Sequence, residues 1–173
     1  MKKTLALATI LATGAYAQNF TTSQTFVGLD LGYSQVKGYI NDNNTIRYED
    51  DSDIQYGFRI GAQNEEWRTT FIFGYYDNSD TSQNVEEYLI TVDYFLTDKS
   101  TTLRPYIGAN VGYANYESDF INDEGGVIYG GQVGFTVDVT EHINLDLSYR
   151  YSVTDYDELD HIGGVMFGVN YLF

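Results

Sequence analysis

From about Phe26 onward, apolar side chains recur at every second residue in eight stretches of roughly ten residues, the period of a strand with one greasy face and one polar face. The first, Phe26 to Lys37, sets Val27, Leu29, Leu31 and Tyr33 against Gly28, Asp30, Gly32 and Ser34. The second, Ile54 to Gln63, sets Ile54, Tyr56, Phe58 and Ile60 against Gln55, Gly57, Arg59 and Gly61. In the third, Trp67, Thr69, Phe71, Phe73 and Tyr75 oppose Arg68, Thr70, Ile72, Gly74 and Tyr76. The fourth, near Glu86 to Phe95, has Tyr88, Ile90, Val92 and Tyr94 opposite Glu87, Leu89, Thr91 and Asp93. Leu103 to Asn115 follows, with Ile107, Ala109, Val111 and Tyr113 against Arg104, Tyr106, Gly108, Asn110 and Gly112, and with Pro105 tolerable only near a strand start. The sixth sets Tyr129, Val133, Phe135 and Val137 against Gly130, Gln132, Gly134, Thr136 and Asp138. In the seventh, Ile143, Leu145, Leu147, Tyr149 and Tyr151 oppose Asn144, Asp146, Ser148 and Arg150. The eighth sets Val165, Phe167, Val169, Tyr171 and Phe173 against Gly164, Met166, Gly168 and Asn170.

Alternation alone fits a soluble sandwich as well as a membrane barrel, because either buries one parity. Three further features favour the barrel. The polar parity is small and Gly-rich, as the inside of a narrow cylinder requires. Connections alternate: Asn64–Glu66, Leu96–Thr102 and Val139–His142 are short, while Gly38–Asp53, Asp77–Val85, Tyr116–Gly126 and Ser152–Asp160 are expected as long loops. Aromatics gather where the apolar parity ends. Tyr33, Tyr75, Tyr113 and Tyr151 fall beside the long connections, and Phe26, Trp67, Tyr94, Tyr171 and Phe173 beside the short ones, as two interfacial girdles. The expected fold is an all-β, eight-stranded antiparallel up-and-down transmembrane β-barrel with both termini in the periplasm.

Residues 1–17 have the layout of a cleavable export signal: Lys2 and Lys3, an apolar run from Leu5 to Ala12, then Ala15-Tyr16-Ala17. The barrel domain is therefore expected over residues 18–173. No later window is apolar enough for a transmembrane helix. Seventeen Tyr and seventeen Gly with one Pro suit strands, and the lack of Cys excludes disulfides and thiolate metal sites. A net charge of −16 argues against a nucleic-acid partner.

Three segments, Arg104-Pro-Tyr-Ile-Gly-Ala-Asn-Val-Gly-Tyr113, Ile143-Asn-Leu-Asp-Leu-Ser-Tyr-Arg-Tyr151 and Val169-Asn-Tyr-Leu-Phe173, resemble small OmpA/OmpX-like and opacity-type outer-membrane barrel proteins. The resemblance covers essentially all of the chain after the export signal, and its motifs specify architecture rather than activity. It implies location in the outer membrane, surrounded by lipid and lipopolysaccharide. It also implies a terminal assembly signal at Tyr171 and Phe173, read by the barrel-assembly machinery. A following peptidoglycan-binding domain, as in full-length OmpA, is not expected in this length.

On this topology Arg68, Asp93, Arg104 and Asp138 lie inward near the periplasmic end with alternating sign, so each Arg is expected to place its planar fork on a flanking carboxylate. Asp30, Arg59, Asp146 and Arg150 are expected as looser groups higher up. Such a network is either a gate that passes ions or a satisfied polar core; eight strands enclose little more than their own side chains, which favours the core. Most of the twenty-five acids fall in or beside the long connections, opposed only by Lys37 and Arg47. That surface suits Mg²⁺ or Ca²⁺, a basic partner, or plain solubility. Tyr39, Tyr48, Tyr116, Phe120 and Tyr156 suit contact with a host or cell-surface macromolecule.

Catalysis has little to stand on. The lipid A deacylase pattern puts a Ser two positions after its His, but Gly163 follows His161 at that place. Ser152 and Asp155 are near His161 in the topology, yet no oxyanion donor is apparent. His142 belongs to a short turn, and two His without HExxH supply no catalytic metal site, so neither cofactor nor metal is expected. The sequence points to a non-enzymatic outer-membrane barrel with a structural and adhesin-like role. A narrow porin-like channel for ions or small solutes stands second, and a lipid A-modifying barrel enzyme third.

Overall fold

The computed structural model describes residues 23–42, 45–78, 83–118, 121–154 and 159–173, and the side chains of 23–35, 54–76, 85–115, 125–154 and 161–173. The export signal and nearly all the acids of the four long connections lie outside the described side chains. Eight strands follow one another: β1 Gln24–Asp42, β2 Thr45–Gln63, β3 Trp67–Asn78, β4 Gln83–Phe95, β5 Leu103–Ser118, β6 Ile121–Asp138, β7 Ile143–Thr154 and β8 Leu159–Leu172. Each pairs antiparallel with its sequence neighbours, and β1 pairs with β8 to close the barrel. The seam runs from Phe26↔Leu172 to Lys37↔His161, with a bulge between Lys37 and Gly38. Closure matters because lipid offers no partner to an open edge.

The two-residue period sorts inside from outside as the sequence predicts. Leu29, Leu31, Tyr56, Phe58, Ile107, Val133, Tyr149 and Val169 are exposed, and Asp30, Arg59, Arg68, Asp93, Tyr106, Gln132 and Asp146 are buried. In water such an apolar exterior would be unstable; in a bilayer it is the solvated face. Glycine on the inward parity makes room for larger neighbours. A Cβ on Gly168 would stand 2.1 Å from Arg59 Nη1, and one on Gly108 would stand 2.0 Å from Asp93 Oδ1.

The three short turns fall between Gln63 and Trp67, Phe95 and Leu103, and Asp138 and Ile143. Side chains shape two of them. Asn64 Oδ1 accepts from the Glu66 and Trp67 amides at 2.8 and 2.7 Å, and Thr140 Oγ1 accepts from those of His142 and Ile143 at 3.2 and 3.0 Å.

Two expectations are corrected. The long connections are mostly strand: β1 and β2 pair as far as Asp42↔Thr45, β3 and β4 to Asn78↔Gln83, and β5 and β6 to Ser118↔Ile121. Parity reports which solvent a side chain meets, and it fades where the hairpin leaves the bilayer although backbone pairing continues. Phe26 is not a girdle residue. Its parity is that of Gly28 and Asp30, and its ring is buried inside the barrel at 1 % exposure. Tyr33, Tyr113, Tyr151, Trp67, Tyr94, Tyr171 and Phe173 are exposed on the outer wall.

Candidate functional site

The polar groups inside the wall converge on Arg68 of β3. Its guanidinium is fully buried, donating from Nε to Asp93 Oδ2 at 2.8 Å and from Nη1 to Asp146 Oδ2 at 2.6 Å. The first partner is its register neighbour on β4, and the second reaches it from β7 across the lumen. Asp146 is further held by Tyr106, whose hydroxyl donates to Oδ1 at 3.0 Å, and by Arg59 Nη1 at 3.8 Å. Arg59 in turn donates to Asp30 Oδ1 at 2.9 Å. On the other flank Gln132 donates to Asp93 Oδ1 at 2.6 Å and accepts from Arg150 Nε at 3.2 Å. Seven strands, β1 to β7, thus share one polar cluster, in which each charge removed from water meets a counter-charge or an amide.

Asp30, Arg59, Asp146 and Arg150, expected as looser groups higher up, join this cluster. Two residues expected inside it do not. Arg104 stands level with Thr136, and Asp138 lies two residues nearer the rim, level with Asn144. Asn144 Nδ2 therefore donates to Asp138 at 2.8 Å. Arg104 instead sends Nη2 to the Glu65 carbonyl at 2.7 Å and lays its guanidinium over Phe95 at 3.7 Å. Arg68 sits likewise over Tyr106 at 4.4 Å, and Phe95 meets Tyr106 edge-on at 6.1 Å. The Arg–aromatic stack, Gln132 and Tyr106 were absent from the sequence-based set. Their inward parity was visible, but their partners depended on distances across the lumen.

Farther from the short turns the interior changes character. Ser34 donates to Gln55 at 2.5 Å, and Gln55 donates to the buried Glu87 at 2.7 Å. Around them Ile72, Tyr76, Val85, Leu89, Ala114, Ile128 and Ile162 form an apolar cluster drawn from five strands. Ser152 faces this interior, where it donates to Asn110 at 2.9 Å. His161 lies on the opposite parity from the buried Ile162 and stacks on the exposed Tyr151 at 5.0 Å. Ser152 and His161 thus face opposite sides of the wall and make no nucleophile–base pair.

A closed antiparallel cylinder with an apolar exterior and a hydrogen-bonded ionic interior defines an integral eight-stranded membrane barrel. A family profile described as "Outer membrane protein beta-barrel domain" matches residues 4–173, and the chain belongs to that family. It is a protein of the outer membrane, of the OmpA/OmpX-like kind. Among solved structures it is similar to Neisserial surface protein A, with 18 % identity, a TM-score of 0.70, and 86 % of this chain and 97 % of that one covered. It is also similar to outer membrane protein H (OprH) of Pseudomonas aeruginosa, with 21 % identity, a TM-score of 0.62 and coverage of 87 % and 99 %. The N-terminal β-barrel domain of P. aeruginosa OprF aligns at 17 % identity with a TM-score of 0.58, covering 87 % of this chain and 100 % of that one. No curated protein matches the chain in sequence.

Proposed function

We propose that this barrel is a non-conducting, non-enzymatic component of the envelope, with a sealed lumen and acidic hairpins that act as a surface for contact. The observation that carries the proposal is the Arg68–Asp146 ion pair, which crosses the lumen at 2.6 Å between two buried side chains. An ion passing this level has to separate the pair, and removing either charge from its partner inside a low-dielectric wall is costly. The apolar cluster from Ile72 to Ile162 adds a second barrier on the hairpin side.

Both chain ends of the barrel lie on the short-turn side, which the topology of such proteins puts in the periplasm. The β1–β2 and β5–β6 hairpins, whose strands include Glu49-Asp50-Asp51 and Asp123-Glu124, then face outward. Their charge suits a basic patch on a host or cell-surface macromolecule. The exposed Tyr171 near the end of the last strand and Phe173 just beyond it suit recognition by the barrel-assembly machinery.

Planar-bilayer recording of the refolded protein tests the sealed lumen. The expected result is no steady unit conductance. A stable conductance step that changes in Arg68→Ala would overturn the reading and make the protein a channel.

A further inference from the structure

One row of inward polar side chains runs in register across five strands and is interrupted at a single position. Asp138 on β6 faces Asn144 on β7, Asn144 faces Asn170 on β8, Asn170 faces Gly28 on β1, and Gly28 faces Arg59 on β2. The interruption is Gly28, at the seam that closes the barrel. A Cβ there would run into Asn170 Oδ1 on one side and stand 2.9 Å from Arg59 Cγ on the other, so both neighbours already lean over the bare backbone.

The sense of each hydrogen bond in the row is set from its rim end. A carboxylate accepts and does not donate, so Asn144 turns Nδ2 to Asp138 at 2.8 Å and keeps Oδ1 for its other neighbour. Asn170 donates from Nδ2 to that oxygen at 3.0 Å, which leaves its own Oδ1 over Gly28 on the Arg59 side. There the chain of bonds stops. Asn170 Oδ1 and Arg59 Nε have no hydrogen-bond partner among the described residues. Neither has Asp30 Oδ2, the second oxygen of the carboxylate whose Oδ1 accepts from Arg59 Nη1 at 2.9 Å. All three residues are more than nine-tenths buried, so bulk solvent does not satisfy these atoms.

We infer that one buried water molecule sits over Gly28, accepting from Arg59 Nε–H and donating to Asn170 Oδ1 and Asp30 Oδ2. One donor and two acceptors are the complement of a single water, which makes about three hydrogen bonds when held inside a protein. A metal cation in the same place would meet the guanidinium, and a halide would meet two acceptor oxygens, so this set of atoms selects water over either. With the water the row becomes continuous and polarised in one sense, every group donating toward Asp138. Asp138, outside the ionic cluster, is thereby joined to it across the β8–β1 seam. The Arg59–Asp30 pair gains a second prong, one bond direct and one through the water.

Nuclear magnetic resonance of the refolded barrel in micelles, with isotope-labelled arginine, tests the site, and Arg59→Lys identifies the Arg59 Nε–H signal by its disappearance. In the wild type that proton is expected to show a direct dipolar cross-peak to water, with the sign that separates a bound molecule from proton exchange. Asn170→Leu removes one of the three anchors with little change of shape and is expected to lose the cross-peak. A wild type without the cross-peak overturns the inference, as does a cross-peak that survives in Asn170→Leu. Should Asn170→Leu fail to refold, a crystal structure of the wild-type protein decides. Solvent density within hydrogen-bonding distance of all three atoms supports the water. Arg59 Nε bonded directly to Asn170 or Asp30, with no density between them, overturns it.

Discussion

Toward the short turns, the inward parity carries Arg68, Asp93, Asp146, Arg59 and Asp30, joined by bonds of 2.6 to 2.9 Å. Toward the hairpins, the same parity carries Ile72, Val85, Leu89, Ile128 and Ile162, which touch without direction. Both regions are buried by the same closed sheet, yet they resist perturbation differently. Directional bonds fix which strand lies opposite which, and fail sharply when one partner is lost. Apolar contacts tolerate shape changes in proportion to the volume removed.

Asp146→Ala is the harshest way to break that contrast. It strips Arg68 and Arg59 of a shared carboxylate and leaves the Tyr106 hydroxyl without its acceptor, and a loss of about 3–5 kcal/mol is expected. Urea unfolding in lipid vesicles, followed by the emission of Trp67 on the outer wall, reads it directly. Leu89→Ala in the apolar half is expected to lose about 2–4 kcal/mol, and restoring volume with Leu89→Met should recover most of it. If the methionine variant were as unstable as the alanine one, the hairpin half would not be the adaptable region described.

Within the ionic half, Arg104→Met sharpens the comparison further. It removes the bond to the Glu65 carbonyl and the stack on Phe95 but strands no carboxylate, so a cost of about 1–2 kcal/mol is expected in the same unfolding assay. Asp138→Asn should change stability least, by about 1 kcal/mol or less, because Asn144 can still donate to the amide oxygen. A loss for Asp138→Asn as large as that for Asp146→Ala would show that Asp138 is paired with Arg104 after all.

The strand pattern was legible because lipid imposes one demand on every outward position. Leu29, Leu31 and Tyr33, or Val165, Phe167 and Val169, declare their face by identity alone. The inward positions of Arg68 and Asp93 and their adjacency on β3 and β4 followed from the same count. What pairs across the lumen was not legible. Arg68 and Asp146 are 78 residues apart with three strands between them, and their meeting depends on barrel radius and side-chain length, which no periodicity encodes. Arg104 and Asp138 were misjudged for a related reason: strand order was known, but a two-residue offset in register passed Asp138 to Asn144. The hairpins were read as loops because the alternation that marks a strand is a signature of the bilayer, and β1 and β2 continue to pair beyond it.

The contact across the lumen is the point on which the proposed sealing turns, and a double-mutant cycle on Arg68 and Asp146 measures it most directly. With Arg68→Ala, Asp146→Ala and the double variant unfolded in the same vesicles, the double variant should be more stable than the sum of the two losses predicts. A coupling of about 2–3 kcal/mol is expected. Additive losses, with no coupling beyond experimental error, would contradict it.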